Sequence, residues 1–426
     1  MRPAHLLGDD PCRSVDSGRN TESVYAVVLA GGRGSRLREL TDSRAKPAMP
    51  FAGNLKIIDF ALGNCVNSGI RRIGVLTQYK SQCLARHVTR GWAFADSGPD
   101  SFIDVIPAQQ QTGQAWYRGT ADAVHQNLPL LQQAAAKLVL VLAGDHVYKM
   151  DYRRIVADHV ERGADVTVAC IDVPMADACG FGVMGIDADG RVRAFDEKPA
   201  CPAALPDRPG RVMASMGVYV FSAAYLYDEL SRDSADPRSL HDFGHDILPR
   251  AVARARVFAH PFERSCVGVA GAQPYWRDVG TLDAYWEAHM DLIRPLPGLD
   301  LYDDAWPVRS LAYGVAPARF TLDADGHRGM AIDSLVSGGC QVCGASVRRS
   351  VLSPRVCIGD GSVVEDSLLL PGAQLGRNVV LRRVIVDEGC VLPDGIRIGI
   401  HPDEDRARFT VTDRGVTLVT ARMLAP

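Results

Sequence analysis

Between about Val336 and Gly399, apolar residues recur close to every sixth position: Val351, Val356 and Ile358, Val363, Leu368, Leu375, Val380, Ile385 and Val391. Glycine or asparagine falls between them at Gly359, Gly361, Gly372, Gly376, Asn378 and Gly389. A period of six matches neither an α-helix nor a half-buried strand. It fits a triangular parallel β-helix, where each face turns one apolar side chain inward and Gly or Asn takes corners needing positive φ. About three coils fit the segment. A small antiparallel sandwich with turn glycines is the other architecture the pattern allows.

The chain before this segment has a different rhythm. Val24 to Ala30, Ile73 to Thr77, Leu138 to Gly144 and Val166 to Ile171 are β-branched or apolar runs, each followed by a polar or amphipathic stretch. That alternation predicts an α/β domain built on a mostly parallel, Rossmann-like sheet. Runs such as Leu138 to Leu142, apolar at every position, suit strands buried on both faces. Gly31, Gln78 and Asp145 then fall at carboxyl ends of strands, where open α/β sheets bind ligands. Pro295, Pro297, Pro307 and Pro317 interrupt regular structure after it. The expected organisation is a mobile tail over 1–23, an α/β domain over 24–295, a linker arm over 296–330 and a left-handed β-helix domain over 331–426.

With 426 residues and 47% hydrophobic content, the chain can bury large cores. Its 47 Lys and Arg against 50 Asp and Glu give none of the basic excess that nucleic-acid binding needs. No apolar run approaches the ~20 residues of a membrane span, and the acidic first 23 residues do not read as a secretory signal. Eleven scattered cysteines read as buried thiols in a reducing compartment, the cytoplasm.

The strongest local feature is Leu29-Ala30-Gly31-Gly32-Arg33-Gly34-Ser35-Arg36-Leu37, directly after an apolar strand. It has neither the Walker spacing nor the dinucleotide G-x-G-x-x-G pattern. What remains is a structural turn, or a loop whose backbone N–H groups approach phosphate while two arginines add fixed charge. Ten residues on stands Arg44-Ala45-Lys46-Pro47. His241 and His245, four apart and flanked by Asp242 and Asp246, lack the further ligand a zinc site needs. Cys340 and Cys343 form a lone C-x-x-C with no second pair. No structural metal is expected from either.

The Gly-rich loop followed by Lys-Pro resembles the signature of the sugar-1-phosphate nucleotidyltransferases. Within them the chain is similar to the bacterial ADP-glucose pyrophosphorylases, or glucose-1-phosphate adenylyltransferases. The resemblance runs in order through Pro107 to Gln110, Trp116 to Ala123, Ala143 to Tyr148, Phe195 to Pro199, Ala214 to Tyr219, His241 to Gly244 and Tyr275 to Thr281. It implies attack of glucose 1-phosphate on the α-phosphorus of ATP with release of diphosphate, for glycogen synthesis, and a homotetramer. Arg36 would meet the β- and γ-phosphates, and Lys46 the α-phosphate and the entering sugar phosphate. Asp145 and Asp278 would hold Mg²⁺, which takes carboxylate oxygens readily. Leu29, Ala30, Gly31, Gly32, Gly34, Gln78, Gln109, Tyr117, Gly119, Thr120, Ala121 and Asp122 would bind ATP. Tyr117, Gly182, Glu197, Lys198, Ser215, Asp242, Phe243 and Trp276 would bind glucose 1-phosphate.

The chain departs from the family at two points that bear on regulation. Members controlled by sugar bisphosphate carry a lysine where this chain has Ser43, and a histidine is expected where it has Pro50. Arg44, Lys56, Arg382 and Arg383 remain as candidates to bind an anionic metabolite effector. Three other functions stay open: a uridylyl- or thymidylyltransferase, a non-catalytic regulatory subunit, and a hexapeptide acyltransferase. The last generally needs a histidine base in the coils, and 336–400 contains none.

Overall fold

The computed structural model describes residues 21–95, 100–109, 116–202, 204–205, 208–269 and 273–424. Gln110 and residues 1–20 of the expected tail lie outside the described residues. Three of the four apolar runs, with Phe102–Pro107 as a further strand, form a parallel block in the order Leu138–Ala143, Val24–Leu29, Arg72–Thr77 and Phe102–Pro107, while Val166–Pro174 lies outside it. Successive side chains of a strand point to opposite faces. Accordingly Val24, Ala26, Val28, Leu138, Leu140 and Leu142 enter one core, with helices Ile58–Asn67, Gln82–Gly91 and Tyr152–Glu161. Tyr25, Val27, Val139 and Val141 enter the other, with helices Thr120–His125, Ala223–Ala235 and Leu248–Arg254.

On its other side Leu138–Ala143 pairs antiparallel with the long strand Arg211–Ser222, which also pairs antiparallel with Val166–Pro174 and Gly182–Ile186. The parallel block is thus one half of a mixed nine-stranded sheet. A shift of register interrupts the long strand between Ser215 and Tyr219.

The second domain is a left-handed parallel β-helix. Three sheets of five, five and six strands make its faces, so the stack holds five coils rather than about three. Val347, Val364, Leu381 and Ile398 stack in register on one face, and Val351, Leu368 and Ile385 on another. The inner coils repeat every 16 or 17 residues, slightly under six per face, which is why the hexad drifts in the sequence; the pairings of Arg319 with Gln341 and of Val384 with Thr417 span longer excursions. The coil pairings are parallel, as a sandwich's would not be; only Thr410–Val411 with Thr417–Val419 closes the end antiparallel. The first coil strand is Arg319–Thr321, within the segment read as linker.

The rest of that segment straps the α/β domain. Trp306 is buried and its Nε1 donates to Asn64 Oδ1 at 3.0 Å, Ser310 Oγ donates to Asp59 Oδ2 at 2.6 Å, and Lys149 Nζ donates to Asp300 O at 2.6 Å. At the other end, Thr21 is buried and Ser23 O accepts from Lys137 N, so the last residues of the expected tail belong to the domain. A shared core fixes the two domains together, with Phe51, Phe60 and Tyr285 from one side and Val351, Leu368, Ile385 and Leu418 from the other.

His289 sits in this shared core against Phe51 and Tyr285, and burial depresses its pKa from 6.5 to about 4. The unfolded chain therefore takes up a proton that the folded chain refuses. The contribution of His289 to stability is whole above about pH 6.5 and declines as the pH falls toward 4. We expect the melting temperature to drop between pH 7 and 5, and His289→Asn, whose amide overlays Nδ1 and so keeps a donor for Tyr285 O, to melt with a shallower pH dependence. An unchanged slope in that variant would contradict the assignment.

Candidate active site

At the carboxyl ends of the parallel strands lies a cavity of about 440 Å³. The strand Val24–Leu29 delivers the glycine-rich loop to its rim, where Leu29, Gly31, Gly32 and Gly34 form one wall. Gly34 has φ +67°, and a Cβ there would come within 2.8 Å of Lys46 Cβ. Only glycine lets the loop close this tightly over Lys46. Gln78, following Arg72–Thr77, and Asp145, following Leu138–Ala143, line the cavity from the neighbouring strand ends.

Lys46 is held between two carboxylates. Its Nζ lies 3.0 Å from Asp145 Oδ2 and 2.6 Å from Asp278 Oδ1, with the lysine side chain 5% exposed. A short antiparallel ribbon places Asp278, on Trp276–Asp278, opposite His146, on His146–Tyr148. Arg36 Nη2 approaches Asp278 Oδ2 at 3.4 Å from the solvent side. Burial by itself would push the lysine pKa down, but the two carboxylates outweigh it and hold it above its usual value. Burial raises Asp145, yet Lys46 and His146 bring it to about 2, and Asp278 is lowered against the same burial. Two acids and a base, all charged, thus share the floor of the cavity.

A pair of carboxylates gathered round one ammonium has the donor set that Mg²⁺ prefers, oxygen ligands of full negative charge. Asp145 and Asp278 therefore fit a divalent cation, and the His146 ring nitrogen lies close enough to join them.

On one side, Gln78 Oε1 accepts from Tyr117 N at 2.8 Å, and Tyr117, Gly119 and Thr120 line the wall. Ala30, Ala121 and Asp122 stand behind that wall: all three are buried, and Asp122 Oδ2 accepts from Arg118 N at 2.9 Å, holding the loop in place. Gln109 is exposed and not part of the lining.

On the other side Glu197, Asp242 and Phe243 line the cavity. Thr120 Oγ1 donates to Asp242 Oδ2 at 2.9 Å, tying the two sides together. Lys198 Nζ pairs with Glu197 Oε1 at 2.6 Å, and Gly182 lies opposite Glu197 in the hairpin register. Ser215 is buried behind Gly217, whose N–H its Oγ accepts at 3.3 Å. Trp276 is buried, with its Nε1 unpartnered among the described residues.

The chain matches the model of the nucleotidyl transferase family, "Nucleotidyl transferase", over residues 25–294, and that of "GlmU-like, C-terminal hexapeptide" over 316–419. It is 54% identical over 404 residues to a glucose-1-phosphate adenylyltransferase of Nitrosospira multiformis, covering 95% of each chain. The chain belongs to the glucose-1-phosphate adenylyltransferase family. Further relatives are the enzyme of that name from Nitrosomonas europaea, 53% identical over all of this chain and 98% of its own length, and one from Yersinia pseudotuberculosis, 52% identical over 94% of each. In this family's frame, the lining residues to which sequence reasoning gave no role are Pro47, Leu76, Ala123, Ala143, Gly217, Tyr219 and Gly244, together with His146 beside the cavity. Gly217 and Gly244 sit one or two residues from Ser215, Asp242 and Phe243, but only the bulged strand and the turn bring them to the wall.

The four candidate effector residues are not presented as one open cluster. Arg44 is 7% exposed in its side chain and clamps the domains together, through Asp387 at 2.7 Å and Glu388 at 2.9 Å. Lys56 Nζ donates to Ala48 O at 3.0 Å and lies 3.2 Å from Cys83 Sγ. Arg382 pairs with Glu365 at 2.9 Å on the coil surface, while Arg383 stacks over Trp286 at 4.3 Å. His241 and His245 face different partners, Asp233 at 2.8 Å and Asp246 at 3.4 Å. Cys340 and Cys343 each donate to a separate carbonyl, of Ser353 and Leu322.

Proposed function

We propose that this cavity joins ATP to glucose 1-phosphate, giving ADP-glucose and diphosphate. The observation that carries the reading is the Asp145–Lys46–Asp278 group beneath a glycine-rich loop, in a chain that matches adenylyltransferases along its whole length. A phosphate oxygen of the sugar phosphate forms the new bond to the α-phosphorus, and the α-to-β bridging bond breaks with its electron pair leaving on diphosphate. The nucleophile is already an anion, so the protein's task is to position two polyanions and meet the charge that develops.

Loop N–H groups from Gly31 to Gly34 and the Arg36 guanidinium would face the β- and γ-phosphates, and Lys46 would face the α-phosphate. Mg²⁺, held by Asp145 and Asp278, would supply further neutralisation of phosphate charge. Lys198 would take the sugar phosphate, and Glu197, Ser215, Asp242 and the unpartnered Trp276 N–H the sugar hydroxyls. Gln78, Tyr117, Gly119 and Thr120 would bound the nucleoside. Incubation with ATP, glucose 1-phosphate and Mg²⁺ should give ADP-glucose and diphosphate in equal amounts, with no exchange of diphosphate into ATP when the sugar phosphate is left out. Exchange without sugar phosphate would contradict direct displacement, and the absence of ADP-glucose would contradict the function.

We further place this product at the start of glycogen synthesis in the cytoplasm, which the ten cysteines free as thiols among the described residues favour. Among the same residues, no helix is long and apolar enough to cross a membrane. Control by an anionic metabolite remains part of the proposal, at a site other than the Arg44 guanidinium, which Asp387 and Glu388 already occupy. Because Ser43 and Pro50 replace basic residues, we expect only weak activation by fructose 1,6-bisphosphate; a strong response at low concentration would contradict this.

A homotetramer is supported by the first coil. Its strands end their sheets, and Phe320, Leu322, Met330 and Ile332 are 37 to 60% exposed there. An open sheet edge carrying apolar side chains suits a second copy. Ile332→Asp combined with Leu322→Asp should lower the mass measured by light scattering, whereas an unchanged mass would remove this surface from the interface.

A further inference from the structure

His146 follows the cavity carboxylate Asp145, and while its Nε2 faces the cation-fitting carboxylates, the rest of its ring is held on every side. It is 14% exposed and meets the Trp276 ring edge to face at 5.1 Å and 77°. Nε2 lies 3.6 Å from Asp145 Oδ1 and 4.0 Å from Asp278 Oδ1. Nδ1 lies 3.1 Å from Met216 O. A carbonyl can only accept, so the Nδ1 proton is donated to it.

Met216 is no ordinary strand residue. It stands in the register shift between Ser215 and Tyr219, where the backbone leaves the ladder with Val166–Pro174. A buried carbonyl that has left its ladder needs another donor, and the imidazole supplies it. The next residue, Gly217, has φ +68°, lines the cavity, and would place a Cβ 3.4 Å from His146 Cε1. Ser215, on the other side of Met216, accepts from Gly217 N and donates to Tyr219 Oη at 3.3 Å. The His146 ring therefore spans from the carboxylates of the phosphate end to the bulge that shapes the sugar end.

We propose that His146 is a positioning residue for glucose 1-phosphate binding, acting through the Nδ1–H bond that fixes the Ser215-Met216-Gly217 bulge. The inference rests on the sugar-site reading given above. Its physical content is that the bulge keeps one shape only while Met216 O is satisfied, so removing the donor loosens the sugar pocket and leaves the nucleotide wall alone.

Asparagine and glutamine separate the two ring nitrogens, because the Asn amide overlays Nδ1 and the Gln amide overlays Nε2. We expect His146→Gln to raise the KM for glucose 1-phosphate about tenfold, the loss of one buried hydrogen bond, with the KM for ATP unchanged. His146→Asn should restore most of it. Calorimetric titration of glucose 1-phosphate into each variant, with a non-hydrolysable ATP analogue and Mg²⁺ present, should show the same order in Kd. Ser215→Ala serves as the control for the site itself. If it raises the KM for glucose 1-phosphate while both His146 variants keep wild-type values, the sugar site stands and the His146 proposal fails. If Ser215→Ala has no effect, the sugar-site reading fails. Better binding in His146→Gln than in His146→Asn would overturn the proposal in favour of the face toward the carboxylates, and equal damage in both would reduce the residue to ring packing.

Discussion

Asp145→Asn is expected to lower turnover by about 10³-fold or more while its melting temperature stays within a few degrees of the parent protein. Removal of one group that serves developing charge in a closed site costs on the order of 10² to 10³ in rate, and Asp145 serves two, Lys46 at 3.0 Å and the divalent cation it would share with Asp278. The amide is nearly isosteric, so packing is preserved, but the pair that now carries two negative charges against one ammonium would carry one. Excess Mg²⁺ should recover little of the loss, because the misplaced Lys46 is not restored by it. Turnover near that of the parent protein at saturating Mg²⁺ would remove Asp145 from the chemistry.

Lys198→Ala should act on a different constant. The side chain is 58% exposed and makes a 2.6 Å pair with Glu197, so its loss costs little stability. A charge-assisted hydrogen bond to phosphate is stronger than a neutral one, and its removal should raise the KM for glucose 1-phosphate by about 100-fold, with kcat changed far less. Saturation kinetics with each substrate varied in turn would show this. A defect confined to the KM for ATP would move Lys198 to the nucleotide, and a defect in kcat alone would place it on the developing charge.

How much of this was legible in the sequence differs from element to element. The parallel block could be read because strands buried on both faces are apolar at every position, as Leu138 to Leu142 are. The antiparallel half could not, since Arg211–Ser222 is broken by the bulge at Met216 and Gly217 and one strand shows no partner. Spacing and glycines favoured a coil while leaving a small sandwich open, and they did not show the coil's extent. A 16- or 17-residue turn slips against a hexad, and the first coil carries exposed Phe320, Met330 and Ile332 where an inward pattern would be looked for.

By its chemistry alone the glycine-rich loop left a structural turn and a phosphate cradle both open, and the resemblance chose the second. Asp278 gave no local signal, because it stands 232 residues from Lys46 and only the ribbon with His146–Tyr148 brings them together; its assignment came from resemblance. Arg44 shows the reverse: a basic residue read as an anion site is spent on Asp387 and Glu388 across the domain boundary. Charge is visible in a sequence, but its partner is not. His146 was passed over for the same reason, since its role depends on a carbonyl 70 residues away.

The central claim is that the cavity transfers adenylyl groups to glucose 1-phosphate, and diphosphate release measures it most directly. The assay uses the full chain with glucose 1-phosphate and Mg²⁺, in parallel with ATP, UTP, dTTP, GTP and CTP, each with and without glycolytic phosphates. Release confined to ATP, abolished by leaving out the sugar phosphate and nearly abolished by Asp145→Asn, is the predicted result. Preference for UTP or dTTP would contradict the adenylyl assignment, and no release with any nucleotide would contradict catalysis altogether.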